Sequence, residues 1–176
     1  MPIFKSSFNE TKGTAVCKTV VLPLKTTVRG PAPAAPGDSV DIIDEAILAF
    51  RCNVLHKNFS KPGPADLTLC YLTIYIGELL KFLVKTQTKT EAKRKATQIS
   101  HDNNFTIPGE DGFCLPGFFG EPKSRSDSDI IRSYFRQLRE ELTERLLEII
   151  YTKDGQKNKW WFQFSKRSFM GIDKAT

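Results

Sequence analysis

Histidine is scarce in this chain of 176 residues, with only His56 and His101 present. Neither stands at a ligand spacing from a cysteine, aspartate or glutamate, apart from His101 beside Asp102. Both therefore read as surface or loop histidines rather than as parts of a metal or acid–base centre. No HExxH, GxSxG, DxDxDG or GxGxxG pattern occurs. Gly109, Gly112, Gly117 and Gly120 share one stretch, but a phosphate loop needs Gly-Lys-Ser/Thr entering a helix, and Phe118 follows Gly117. The 4 cysteines, Cys17, Cys52, Cys70 and Cys114, form no CxxC pair, which leaves no support for zinc. Cys52 and Cys70 fall in apolar periodic stretches and read as small buried hydrophobes. Neighbouring carboxylates, Asp127 with Asp129 and Glu140 with Glu141, read as solvated or dipole-complementing charges on helices. The residues offer no catalytic constellation, so neither an enzyme nor a bound cofactor or metal is expected.

Long uncharged apolar runs are missing too. The most apolar stretch, Leu67 to Val84, contains Glu78 and Lys81, which a membrane span rarely tolerates. It reads as a helix inside a core, and no membrane insertion is expected. The opening Met1-Pro2-Ile3-Phe4-Lys5 has no apolar run resembling a signal peptide. A reducing compartment with free thiols is therefore expected, and the sequons at Asn9, Asn58 and Asn104 read as chance matches.

What the chain has in quantity is phenylalanine (13) and a hydrophobic fraction of 40%, ample for a core without staples. Residues 1–38 lack helical periodicity; Pro23 argues against a central strand, and Gly30 to Gly37 is too rich in proline and glycine for regular structure. These residues read as an irregular arm. A helix is expected from near Ser39, taken as its N-cap, with Ile43, Ala46, Ile47, Phe50 and Val54 on one face. Ala65 to Lys85 is apolar all round, the pattern of a helix surrounded by other elements, and Gly77 there suggests close approach by a neighbour. Thr90 to Ser100 reads as a polar surface helix. Residues 103–123 form a long loop, with Phe105, Phe113, Leu115, Phe118 and Phe119 as candidates for pinning it. Asp127 to Tyr151, capped by Ser126, carries an apolar stripe from Ile131 to Ile150, with Arg136–Glu140 and Glu141–Arg145 as pairs on its outer side. The segment after Asp154-Gly155 fits helix or strand; helix is preferred. The fold expected is all-α: a single domain (1–176) with a central buried helix surrounded by others (39–170), plus the irregular N-terminal arm.

The net charge of +6 favours acidic partners. Basic residues gather in three places: Lys89 to Lys95, Arg132 to Arg139, and Lys153 to Arg167. The third is interleaved with Trp160, Trp161 and Phe162, and a basic aromatic segment can stack single-stranded nucleic acid. An acidic protein surface suits the same charge. Arg132 and Arg136 form a like-charge pair one helical turn apart, a local cost unless an anion meets it.

Several stretches, in order along the chain, resemble the family of subunit 3 of the actin-related protein 2/3 complex. They include Leu22-Pro23-Leu24, Arg29-Gly30-Pro31-Ala32-Pro33, and Asp41-Ile42-Ile43-Asp44-Glu45-Ala46-Ile47. Further along come Ala65-Asp66-Leu67-Thr68-Leu69, Asn104-Phe105-Thr106-Ile107-Pro108-Gly109-Glu110, Gln137-Leu138-Arg139-Glu140-Glu141 and Lys159-Trp160-Trp161. Lys166-Arg167-Ser168-Phe169-Met170 closes the series. Pro116-Gly117-Phe118-Phe119 and Gly171-Ile172 depart from the family pattern. The resemblance implies an all-α domain and a non-catalytic subunit that supports nucleation of branched actin filaments. It implies packing chiefly against actin-related protein 3, a place near the acidic mother filament, and a cytoplasmic location in the actin cytoskeleton and cell cortex. Nucleic acid is not expected as a partner; a basic single-stranded nucleic-acid-binding module is the alternative. Arg132, Arg136, Lys166 and Arg167 are the candidates for meeting acidic partner surfaces. Trp160, Trp161 and Phe164 are the candidates for anchoring the C-terminal segment.

Overall fold

The computed structural model describes residues 2–175. Its elements run β1 (Ala15–Val16), β2 (Thr19–Val20), α1 (Ile42–Asn53), α2 (Pro64–Leu83), α3 (Lys89–His101), α4 (Arg125–Ile150) and α5 (Lys159–Phe162), the last continuing into a 3-10 turn at Gln163–Lys166. Every residue of α2 from Ala65 to Gly77 is buried. It is met by α1, α3, α4, β2 and the 3-10 turn. Its apolar run is still broken by Glu78 and Lys81, and no helix among the described residues is long and apolar enough to cross a membrane.

The expectation of an all-α fold is corrected by strand structure in the arm. β1 and β2 pair antiparallel, Ala15 with Val20 and Val16 with Thr19. The turn between them places Cys17 and Lys18 at φ 51° and 65°. Two consecutive positive φ values are what a tight hairpin matched to strand twist requires. The Cys17 carbonyl accepts the Gly120 N–H at 3.0 Å, so the long loop braces this turn. Leu24 also pairs with Ala34 in a parallel bridge, and Tyr151 with Lys157 and Phe169 with Ile172 in antiparallel ones.

The rest of the arm is fixed by side chains it borrows. Ser6 Oγ donates to Glu45 Oε2 at 2.6 Å, and the Ser6 N–H donates to Asp66 Oδ1 at 2.7 Å. Asn53 exchanges two hydrogen bonds with the Phe4 backbone. Gly63, the residue before α2, has no side chain with which to cap the helix. Asn9 Oδ1 takes that role from the arm, accepting the Ala65 and Asp66 N–H groups at 3.0 and 3.1 Å. A Cβ on Gly63 would come within 2.5 Å of that oxygen, which accounts for the glycine.

Two caps differ from expectation. α1 is capped by Asp41, not Ser39: Asp41 Oδ1 accepts the Asp44 N–H at 3.0 Å and Asp44 Oδ2 accepts the Asp41 N–H at 3.1 Å. Ser39 Oγ bonds the Pro36 carbonyl instead. α4 is capped by Ser124, whose Oγ accepts the Asp127 N–H, so it begins two residues before Ser126 suggested. In the long loop Phe105, Phe113, Leu115 and Phe119 are buried, with Phe118 partly so. Phe113 and Phe119 pack on Phe135, which stacks on Tyr71 at 4.1 Å between centroids. Cys70 is buried, whereas Cys52 is only half-buried.

A candidate basic docking surface

The candidate interface residues begin on the middle of α4. Arg132 is committed internally: it pairs with Glu110, donates Nη1 to the Phe105 carbonyl at 2.8 Å, and lies 5.5 Å from the Phe105 ring centroid. This is why the like-charge pair with Arg136 is tolerated, since Glu110 takes up one of the two charges. Arg136, one turn on, is half-buried and makes no ion pair with another described residue. The two arginines share a shallow hollow of about 300 Å³ with Asn103, Asp129 and Ser133. The expected Arg136–Glu140 pair is not formed. Glu140 lies instead at 4.0 Å from His101 of α3.

Across Phe105 from Arg132 stands Arg139, whose guanidinium lies 4.8 Å from the same ring and 4.5 Å from that of Tyr75. Arg139 opens onto a second cavity, bordered also by Lys81, Lys85 and Lys174. Lys81 Nζ donates to the Arg167 carbonyl at 2.5 Å. Lys166 and Arg167 are themselves exposed, with no ion pair to another described residue. On α3, Lys95 pairs with Glu91 at 2.9 Å and sits 5.9 Å from the ring of Phe82, another cavity residue. Arg132 and Arg139 meet across the Phe105 ring, Arg139 and Lys81 line one cavity, and Lys81 bonds the Arg167 backbone, so a band of basic residues from the three stretches borders neighbouring hollows. Arg139 belongs to the basic stretch Arg132 to Arg139, but its burial was not foreseen; its place on α4 beside the buried Leu138 of the apolar stripe is the signal that could have shown it.

The aromatic candidates separate. Trp161 is 8% exposed, stacks on Phe50 at 5.8 Å and 16°, and receives Arg51 over its ring. Phe164 meets Phe50 edge-on at 6.1 Å and is half-buried. Trp160, expected as an anchor, is instead 70% exposed. Consecutive residues on a helical turn point about 100° apart, so α5 presents one indole to the core and the other to solvent.

A third charged group ties the arm to the helices. Arg145 bonds Glu141 through Nε at 2.9 Å, Asp41 through Nη1 and Nη2 at 2.7 and 2.8 Å, Asp44 through Nη1 at 3.0 Å, and the Lys25 carbonyl through Nη2 at 2.6 Å. The Asp41 side chain is fully buried. Burial alone would push its carboxyl up, but the Arg145 guanidinium and the N–H groups of Lys25 and Asp44 hold it below the usual carboxylate range. Arg145 is raised further above its already high value by the same carboxylates, against the opposing effect of burial.

Among the described residues no group of three or more histidine, cysteine or acidic side chains converges as a metal site. The class these observations define is a densely packed helical chain with basic side chains around shallow surface hollows. The family described as "P21-Arc: ARP2/3 complex ARPC3 (21 kDa) subunit" matches residues 1–174. The chain belongs to that family, as a subunit and not an enzyme. It is 41% identical to "Actin-related protein 2/3 complex subunit 3" of Arabidopsis thaliana over 171 residues, covering 97% of this chain and 98% of the relative. Proteins of the same name from Dictyostelium discoideum (43%; 96% of this chain and 97% of the relative) and Schizosaccharomyces pombe (42%; 97% and 98%) are similar over the same extent.

Proposed function

We propose that this chain is a non-catalytic subunit of an actin-related protein 2/3 complex and supports the nucleation of branched actin filaments. In this reading it packs chiefly against the actin-related protein 3 subunit, lies near the mother filament, and works in the cytoplasm at the actin-rich cortex. The observation that carries the docking role is the basic band. Arg136, Lys166 and Arg167 have no ion pair to another described residue, in a chain of net charge +6. Charges of this kind speed encounter with an acidic surface and fix its register. The rival reading, stacking of single-stranded nucleic acid on the C-terminal aromatics, asks for a row of open rings. Trp160 offers one, while Trp161 and Phe162 are buried.

The test is a tagged pull-down from native cytosol, with the bound proteins quantified. Actin-related proteins and their companions in equal amounts support the role; monomer or RNA-associated proteins refute it. Within the assembly, Arg136→Glu and the pair Lys166→Glu with Arg167→Glu are expected to weaken incorporation or branching. Unchanged behaviour in both would remove these residues from the interface.

A further inference from the structure

The cavity behind the basic band is lined by a buried charge that forms no ion pair with another described residue. Arg139 is only 1% exposed, among the largest fully buried side chains of the protein. Its guanidinium is sandwiched by the Tyr75 and Phe105 rings, and Nη1 donates to Tyr71 Oη at a long 3.3 Å. Nε has no hydrogen-bond partner, and no carboxylate among the described residues is within ion-pair distance of the group. Arginine remains charged under all ordinary conditions and carries five donors in a planar fork. Buried charges in folded proteins are as a rule paired. This one instead lines a cavity of about 550 Å³ at the C-terminal end of α2, large enough to take one or two inserted side chains.

We propose that this cavity is the receptor for one carboxylate carried on an apolar stem, an acidic side chain presented by a partner protein chain, with Arg139 as its counter-charge. The proposal rests on the docking role and names the chemistry of one contact within it. Charge sets the ligand class. Among the described residues, four cationic side chains (Lys81, Lys85, Arg139 and Lys174) border the cavity against three acidic ones (Glu78, Asp102 and Asp173), an excess of one. Two of those acids are already engaged. Glu78 accepts the Ala175 N–H at 2.9 Å, and Asp173 accepts from Ser168 and lies 3.5 Å from Lys81. One monoanion balances the site, whereas a phosphate dianion would overshoot. Phe82, 43% exposed, and Ile99 supply an apolar wall that a simple ion leaves unsatisfied but a side-chain stem covers. A planar carboxylate also matches the guanidinium fork, and charge-assisted bonds of this kind are the strong ones.

The full chain, labelled with nitrogen-15, is titrated with butyrate, butyramide and inorganic phosphate while the Arg139 Nε–H resonance is followed. A saturable shift with butyrate and none with butyramide is expected. No saturable butyrate shift, an equal response to butyramide, or tighter binding of phosphate would each overturn the carboxylate assignment. In the assembled complex, Phe82→Glu places a competing carboxylate at the exposed rim. It should lower incorporation at least tenfold and abolish the butyrate shift while leaving the melting of the isolated chain unchanged. Wild-type chain that assembles alongside an equally competent Phe82→Glu chain would overturn the partner contact alone. Wild-type chain that fails to assemble would overturn the docking role, and the butyrate titration would still decide the chemistry of the cavity.

Discussion

Replacing Arg145 by methionine would remove all five of the hydrogen bonds through which this side chain ties Lys25 of the arm, Asp41 and Asp44 at the start of α1, and Glu141 of its own helix. Methionine keeps the apolar stem, so the loss is chiefly one of charge and bonding. The Arg145 side chain is 18% exposed while that of Asp41 is fully buried, so the carboxylate cannot turn to water when its partner leaves. Removing one member of a buried pair costs about 3–5 kcal/mol. Asp41 would keep the N–H groups of Lys25 and Asp44, and the partial exposure of Arg145 softens the loss, so the low end, ~3 kcal/mol, applies. For a chain of this size that lowers Tm by about 6–12 °C. Urea unfolding at neutral pH measures it, with the midpoint moving and the slope unchanged. A double-mutant cycle with Asp41→Asn should return a coupling of at least ~1 kcal/mol. A loss below ~1 kcal/mol, the value of an exposed ion pair, would refute the claim that this cluster fastens the arm to the helices.

The same cluster fixes a pH dependence. A carboxyl held low in the folded chain contributes stability that is present above its unfolded value and lost as pH falls through its folded one. The stability gap between wild type and Asp41→Asn should therefore hold from neutral pH down to the usual carboxylate range and close only as pH falls through the lowered folded value; a gap that widens on acidification would contradict the pairing. Trp161→Ala should cost ~3 kcal/mol through the lost Phe50 stack, while Trp160→Ala should stay within ~0.5 kcal/mol in the isolated chain; thermal melts of the two would show any reversal. Gly77→Ala should stabilise by ~0.5–1 kcal/mol in the same assay, because its Cβ would meet only Lys81 Nζ at 3.9 Å. A loss there would restore the close neighbour that the glycine suggested.

How far the sequence could be read depended on how far apart the partners stand. The all-round apolar run of α2 and the stripe of α4 are repeats within one element, and the structure shows α2 as a buried helix and the α4 stripe as its buried face. Spacing alone could not choose the cap of α4, since Ser124 and Ser126 each stand three residues before an aspartate, Asp127 and Asp129; the structure selects Ser124. The hairpin was out of reach. Its strands are two residues each, too short to alternate, and its turn is Cys17-Lys18 rather than the Asn-Gly or Asp-Gly that announces two positive φ values. Nor could pattern reveal that Asn9 caps a helix 56 residues away.

Electrostatic roles suffered most from this limit. Glu141–Arg145 was visible as a local pair and was assigned to the outer side of α4. The structure turns it into a hub because Asp41 and Lys25 arrive from 104 and 120 residues upstream. Arg132 looked free because Glu110 is outside its helix. Arg139 stood in the sequence only as the end of a basic stretch, yet it is buried against two aromatic rings with no carboxylate of a described residue at ion-pair distance. A helical wheel assigns charges to the outside by default. The informative positions are those where the fold overrules it, either by supplying a distant partner, as at Arg145, or by leaving the charge open to a cavity, as at Arg139. The first kind holds the arm in place, and the second is where an acidic group from outside the chain has something to gain.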